Sequence, residues 1–194
     1  TNDDVSYLIP PIHFLKTGNW THGGDTEQAH YFRPPGYGLI YLTIYRIFGD
    51  EHALLTLKLF QLLLFSLSVY WFYYVLKTIL PNEKIALLFS GFYGLSPFCV
   101  GFLFYTLTEG VTPSIALFYA FLLFKASNSA ENRSKICYYT AASLIFSFLF
   151  ITRPALGVFS LLLPIFIIHD YWKISIPNTI YKLFFFGLLS FSLM

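Results

Sequence analysis

Two adjacent carboxylates stand near the start of the chain, in the stretch "NDDVSYL". Adjacent carboxylates such as Asp3 and Asp4 repel each other, so in a shielded site at least one of them tends towards a raised pKa. A carboxylate in that state suits a general base that takes a proton from a hydroxyl group. A helix N-cap or a solvated loop explains the same pair without any chemistry. The pair is therefore a candidate base with a structural alternative.

Arg33 stands beside Pro34 and Pro35 in "RPPGYG", directly before an apolar run. A guanidinium binds phosphate through two parallel hydrogen bonds, which a lysine does not reproduce. Gly36 and Gly38 free the backbone for close approach to a ligand. The alternative is that Arg33 reaches the lipid headgroups as an anchor.

Glu109 in "LTEGVTP" and Arg153 in "FITRPALG" each lie at the end of an apolar run. Charges near a membrane are costly and are functional candidates by default. A structural ion pair between these two residues is one interpretation. The other is that Arg153 contacts an anionic ligand.

The segment "HGGDTEQAH" contains His22, Asp25, Glu27 and His30, which are all potential metal ligands. Their spacing matches no firm zinc pattern, so a solvated loop is the favoured interpretation. We predict no cofactor, and the sequence gives no specific indication of a divalent metal.

The elements that must position these residues are membrane helices. Of the 194 residues, 56% are hydrophobic and 11% are charged, against about 25% charged in an ordinary soluble domain. The net charge of +2 comes without a basic cluster, so nucleic-acid binding is not expected. Both cysteines, Cys99 and Cys137, are interpreted as small core residues.

Runs near the length of a bilayer crossing predict five spans and part of a sixth. The predicted spans are residues 53–76, 85–104, 111–124, 136–151, 155–168 and 181–194. Residues 1–52 form a long first loop, in which about 34–48 predict an interfacial helix because that apolar stretch is too short to span. The chain begins at Thr1 and stops at Met194 inside an apolar run, so we expect it to be part of a longer protein.

Seven cations fall in one set of alternating connections: Lys77, Lys84, Lys125, Arg133, Lys135, Lys173 and Lys182. Positive residues are retained on the cytoplasmic side of a membrane. Residues 1–52, Glu109 and Arg153 are thereby predicted to face the periplasm or a lumen.

The ordered motifs resemble those of the membrane-embedded GT-C glycosyltransferases, of the protein O-mannosyltransferase and lipid A aminoarabinose transferase type. The matching stretches are Asp3-Asp4 followed by Tyr7, then "KTGNW", "YFRPPGYGLIYL", "TEG" and "TRPALG". The resemblance implies an all-α polytopic helical bundle of GT-C type that transfers a sugar from a polyprenyl-phosphate-linked donor to a protein, lipid or glycan acceptor. It implies a bacterial inner membrane, or alternatively the endoplasmic reticulum membrane.

The resemblance also implies residue roles. Asp3 is the expected catalytic base, and Asp4 orients the acceptor or the base. Substrate contacts are expected from a further set of residues: Tyr7, Arg33, Tyr37, Glu109 and Arg153. The two arginines would neutralise the leaving phosphate. A transporter or flippase for a lipid-linked substrate and a non-catalytic membrane assembly protein are the alternatives.

Overall fold

The computed structural model describes residues 2–21, 33–171 and 176–191, and the side chains of all of these except residues 2–5, 176–178 and 191. Within these ranges every regular element is a helix. The α-helices are α1 (Asn2–Thr17), α2 (Pro35–Ile79), α3 (Glu83–Leu95), α4 (Pro97–Gly101), α5 (Thr112–Ser127), α6 (Asn132–Thr152), α7 (Leu162–Tyr171) and α8 (Ile176–Phe191). Short 3₁₀ helices at Phe102–Phe104, Thr108–Gly110 and Pro154–Leu161 connect them.

Five helical segments of the described chain are long and apolar enough to cross a membrane. They are Pro35–Ile79, Glu83–Phe104, Thr108–Ser127, Asn132–Thr152 and Pro154–Tyr171. A helix of the length of α6 extends about 30 Å, which matches the hydrocarbon core. The expectation of an all-helical, multi-pass membrane protein is confirmed. The helices extend beyond the predicted spans because polar residues at their ends continue the same hydrogen-bonded turns.

Besides its hydrophobic core, the bundle buries several small polar residues and exposes many large apolar side chains. Its fully buried positions include Ser68, Ser143, Ser147 and Gln61, whereas many leucines and phenylalanines are exposed. Small hydroxyl residues let membrane helices approach each other, and a buried serine is satisfied by its own helix. Ser143 Oγ, for example, donates to the Tyr139 carbonyl at 2.9 Å. The exposed apolar side chains therefore form the surface that contacts lipid.

Helix α2 is two helices joined by a sharp reversal at Gly49, which has φ of 73° and ψ of 174°. We call residues 35–48 α2a and residues 50–79 α2b. A straight helix would separate Tyr37 from Gln61 by about 36 Å, yet Gln61 Nε2 donates to Tyr37 Oη at 3.0 Å. The reversal requires glycine because φ lies in the left-handed region. The helix expected at about 34–48 is thus present as α2a, folded back along the start of α2b.

One end of the bundle, which we call the lysine end, is held by a saturated polar network. The Asp170 carboxylate accepts hydrogen bonds from Ser127 at 2.7 Å and from Tyr139 at 2.8 Å. Lys135 Nζ pairs with the same carboxylate at 3.4 Å. Lys182 Nζ lies 3.2 Å from the centroid of the Tyr171 ring. These contacts join α5, α6, α7 and α8, and lysines dominate this end as the loop pattern predicts.

Candidate functional site

Arg33 packs against helix α1. Its Nε donates to Ser6 Oγ at 3.2 Å, and its guanidinium carbon lies 5.0 Å from the centroid of the Tyr7 ring. Asp3 and Asp4 lie in the first turn of the same helix, about one turn before Ser6 and Tyr7. The side chains of both aspartates lie outside the described part of the chain. The backbone nevertheless places the predicted base and the first predicted arginine on neighbouring segments.

Tyr37 connects this helix to the core of the bundle. The rings of Tyr7 and Tyr37 meet edge to face, with centroids 5.6 Å apart, an arrangement that aromatic pairs prefer. Tyr37 is fully buried, and its hydroxyl accepts a hydrogen bond from Gln61 Nε2. The two predicted tyrosines therefore contact each other directly.

Gln61 on α2b connects Tyr37 to the turn that carries Glu109, and it was not among the residues predicted from the sequence. It is fully buried, and Nε2 also donates to the Tyr105 carbonyl at 3.3 Å. A Cβ at Gly110 would lie 2.4 Å from Gln61 Nε2, so the glycine allows this amide to reach the turn that carries Glu109. Among the described residues, Gln61 Oε1 has no hydrogen-bond partner. The available signal was an amide that interrupts the apolar run "LKLFQLLLF".

Glu109 and Arg153 form an ion pair, as one of the two interpretations expected. Glu109 Oε1 lies 2.6 Å from Arg153 Nη1, and Thr108 Oγ1 donates to Glu109 Oε2 at 3.1 Å. The two side chains are 32% and 41% exposed, so they remain open to a ligand. Among the described residues, Glu109 is the only hydrogen-bond partner of the Arg153 guanidinium. Nε and Nη2 of Arg153 are therefore available as donors.

The end of α6 places Arg153 beside α2a. Arg153 has φ of −150° and ψ of 92°, the extended conformation favoured before a proline. A Cβ at Gly36 would lie 2.7 Å from both the backbone nitrogen and the Cα of Thr152. Gly38 likewise lies against Trp20 and Pro11. The two glycines that were expected to admit a ligand instead admit neighbouring protein segments, since a side chain at either position would meet them.

An apolar cavity of about 280 Å³ adjoins Arg153. It lies between α5 and the 3₁₀ helix Pro154–Leu161. Its lining includes Arg153, Thr112, Ala116, Leu156 and Phe159. We call it the Arg153 cavity. Glu109 also lines it, so the cavity combines the Glu109–Arg153 ion pair with hydrocarbon walls.

The predicted site residues span more than a hundred positions of the sequence, from Tyr7 to Arg153, yet they lie at one end of the folded bundle. Tyr7, Arg33 and Tyr37 form one group, Glu109 and Arg153 form the other, and Gln61 links the two. We call this end of the bundle the Arg153 end. The segment that contains His22 and His30 lies outside the described residues. Within the described part, no group of three or more histidine, cysteine or acidic residues is placed to hold a metal.

Fold and site together define the class of this chain as a multi-pass helical membrane protein with a polar cluster at one end. Comparison with protein-family models, with curated proteins and with solved structures found no match.

Proposed function

We propose that this chain is a membrane glycosyltransferase that transfers a sugar from a polyprenyl-phosphate carrier to an acceptor on the non-cytoplasmic face. The observation that carries this proposal is the gathering of Tyr7, Arg33, Tyr37, Glu109 and Arg153 at one end of the bundle, although chain order separates them. The opposite, lysine end carries Lys77, Lys125, Lys135 and Lys182. An active site at the Arg153 end would face the periplasm or a lumen.

The Arg153 cavity supports a lipid carrier as donor. An isoprenoid chain needs apolar walls that open towards the bilayer, and Ala116, Leu156 and Phe159 supply them. The carrier phosphate needs hydrogen-bond donors at the membrane surface, and Nε and Nη2 of Arg153 are oriented by the bond of Nη1 to Glu109. A guanidinium fits this task because its fork matches two phosphate oxygens.

The proposed reaction is a single displacement. The acceptor hydroxyl oxygen forms a bond to the anomeric carbon of the sugar, and its proton passes to Asp3. The bond between the anomeric carbon and the phosphate oxygen breaks, and the carrier phosphate leaves with the electron pair. Arg153 and Arg33 stabilise the negative charge that grows on this phosphate. Asp4 orients the acceptor or the base.

The test uses the full-length protein in detergent with a panel of polyprenyl-phosphate sugars. The measurement is the release of free carrier phosphate together with sugar transfer. We expect Asp3→Asn to abolish transfer and to leave carrier binding intact. Arg153→Gln should lower the rate by about 100-fold to 1000-fold, the usual cost of one lost electrostatic contact.

Lys77→Gln is the matched control, because Lys77 is an exposed cation of the lysine end that pairs with Glu83 at 2.7 Å. It should leave turnover unchanged. Equal turnover in the wild type and in Asp3→Asn would remove Asp3 from the mechanism. Equal loss in Lys77→Gln and Arg153→Gln would indicate a general charge effect and would contradict the proposed site.

A transporter of a lipid-linked substrate is the second candidate. Its support is the interruption of the second spanning segment, where α3 ends at Leu95 and α4 begins at Pro97, since transporter sites use broken helices. Carrier movement across proteoliposomes without sugar transfer would favour this alternative. The clustering of Glu109 and Arg153 at the bundle end, away from the midplane, favours the transferase.

A further inference from the structure

A second apolar cavity reaches the same ion pair from the other side. It measures about 180 Å³, and its lining includes Phe65, Tyr93, Cys99, Leu103, Ser114 and Glu109. We call it the Glu109 cavity. Glu109 and Pro113 belong to the linings of both cavities. The Glu109–Arg153 pair therefore stands between two separate apolar spaces.

The two cavities differ in the charge at their heads. The Glu109 carboxylate lines both cavities, and in the Arg153 cavity the paired guanidinium offsets its charge. No cation lines the Glu109 cavity in the part of the chain that the structure describes. The polar groups of the Glu109 cavity are the Glu109 carboxylate and the hydroxyls of Tyr93 and Ser114. A carboxylate accepts hydrogen bonds and repels phosphate. This cavity is complementary to an uncharged amphiphile with hydroxyl groups in its head.

The surroundings of the cavity favour entry from lipid. It lies between α2b, α4 and α5, beside the surface of α3 and α4 that exposes Leu95 at 82% and Phe98 at 73%. Such an apolar surface is compatible with hydrocarbon and not with water. A molecule in the Glu109 cavity would thus enter sideways from the bilayer.

We propose that the Glu109 cavity binds the hydrocarbon tail of a lipid acceptor, whose hydroxyl-bearing head reaches the Glu109–Arg153 pair. This inference rests on the proposed transferase function and selects a lipid from its acceptor classes. A soluble protein or free glycan would make no use of a hydrocarbon-lined space beside the transfer site. The acceptor hydroxyl would attack the anomeric carbon while the carrier phosphate leaves towards Arg153, so the two tails lie on opposite sides of the pair.

Photolabelling tests the cavity without any need for activity. The probe is a diacylglycerol with a diazirine in one acyl chain, added to full-length protein in nanodiscs, and labelled peptides are mapped by mass spectrometry. We expect saturable labelling within residues 93–114. The phosphatidic acid with the same diazirine chain should label this segment less, because its phosphate meets the Glu109 carboxylate.

The chain provides an internal control groove and a matched pair of cysteines. The groove between α7 and α8, lined by Leu161, Ile167, Leu183 and Gly187, has no ionisable side chain in its lining and should label without saturation. Cys99→Trp fills the Glu109 cavity and should reduce its saturable labelling about tenfold or more. Cys137, which the sequence predicted to be a core residue, is instead exposed and lies outside both cavities, so Cys137→Trp should have no effect.

The outcomes separate the lipid site from the transferase. The lipid site would be overturned if labelling of residues 93–114 does not saturate or survives Cys99→Trp. It would also be overturned if the Glu109 cavity and the control groove between α7 and α8 label equally. These results count against the lipid site even if transfer is observed. Stronger labelling by the phosphatidic acid probe would also overturn it. Saturable, Cys99-dependent labelling in a protein that transfers no sugar would support the lipid site and contradict the proposed function.

Discussion

Replacement of Gly36 by alanine should separate α2a from the end of α6. The added Cβ would lie 2.4 Å from Thr152 Oγ1 and 2.7 Å from the Thr152 nitrogen and Cα. The hydroxyl can rotate away, whereas the backbone of α6 cannot. Ordinary contact begins at 3.4 Å, so α2a must move by about 0.7 Å, and overpacking of this kind costs about 1 to 3 kcal/mol.

The displacement should also reach the site, because Gly36 is close in sequence to Arg33 and Thr152 directly precedes Arg153. A misplacement near 1 Å can lower a rate by about 100-fold. We expect Gly36→Ala to lose both stability and turnover, with carrier binding less affected than transfer.

The assay is the free energy of unfolding from SDS titration of the detergent-solubilised protein, with turnover measured in parallel. Gly91→Ala is the control, because Gly91 lies inside α3 and a Cβ there meets nothing within 4 Å. Alanine at that position should be neutral or stabilise by up to about 1 kcal/mol through helix propensity. Equal stability of Gly36→Ala and Gly91→Ala would refute the proposed packing of α2a on α6.

The contacts of Asp170, Arg33 and Gln61 each allow a further test. Asp170→Ala should lower the free energy of unfolding by about 3 kcal/mol because it leaves buried partners unpaired, whereas loss of the exposed Glu83 carboxylate should have no measurable effect on the SDS midpoint. Arg33→Lys keeps the charge but loses the planar fork and the Nε bond to Ser6, so transfer should fall while expression is unchanged. Full activity would indicate simple headgroup anchoring. Gln61→Glu replaces the buried amide donor by a carboxylate that faces the Tyr105 carbonyl, so the SDS midpoint should fall. An unchanged midpoint would contradict the assigned orientation of the Gln61 amide.

The helical, membrane-spanning character of the chain could be predicted because it depends on local composition. Apolar runs of bilayer length specify helices regardless of their neighbours. The reversal at Gly49 was harder to predict from the sequence, because "RIFGDEHALL" is equally consistent with a loop between an interfacial helix and a span. The fold-back of α2a on α2b depends on contacts between distant residues, such as the bond from Gln61 to Tyr37.

The members of the site were accessible from sequence, but the connections between them were not. Charged residues at the ends of apolar runs are conspicuous, so Arg33, Glu109 and Arg153 could be selected by type. Gln61 carries no charge, and its importance depends on Gly110 lying close enough for contact. The role of Gly36 was misread for the same reason, since a glycine before a helix does not reveal which surface approaches it.

The two ends of the bundle use polar groups in opposite ways, which bears on where a ligand binds. At the lysine end, Asp170 accepts hydrogen bonds from Ser127 and Tyr139 and pairs with Lys135, so its oxygens are saturated by the protein. At the Arg153 end, among the described residues, the Gln61 Oε1 atom is buried without a partner and the Arg153 guanidinium has one. An unsatisfied buried group lowers stability, so a fold that retains one at the same end as an available guanidinium is better suited there to binding than to stability. The same contrast favours a polar ligand at the Arg153 end and a structural role for the network at the lysine end.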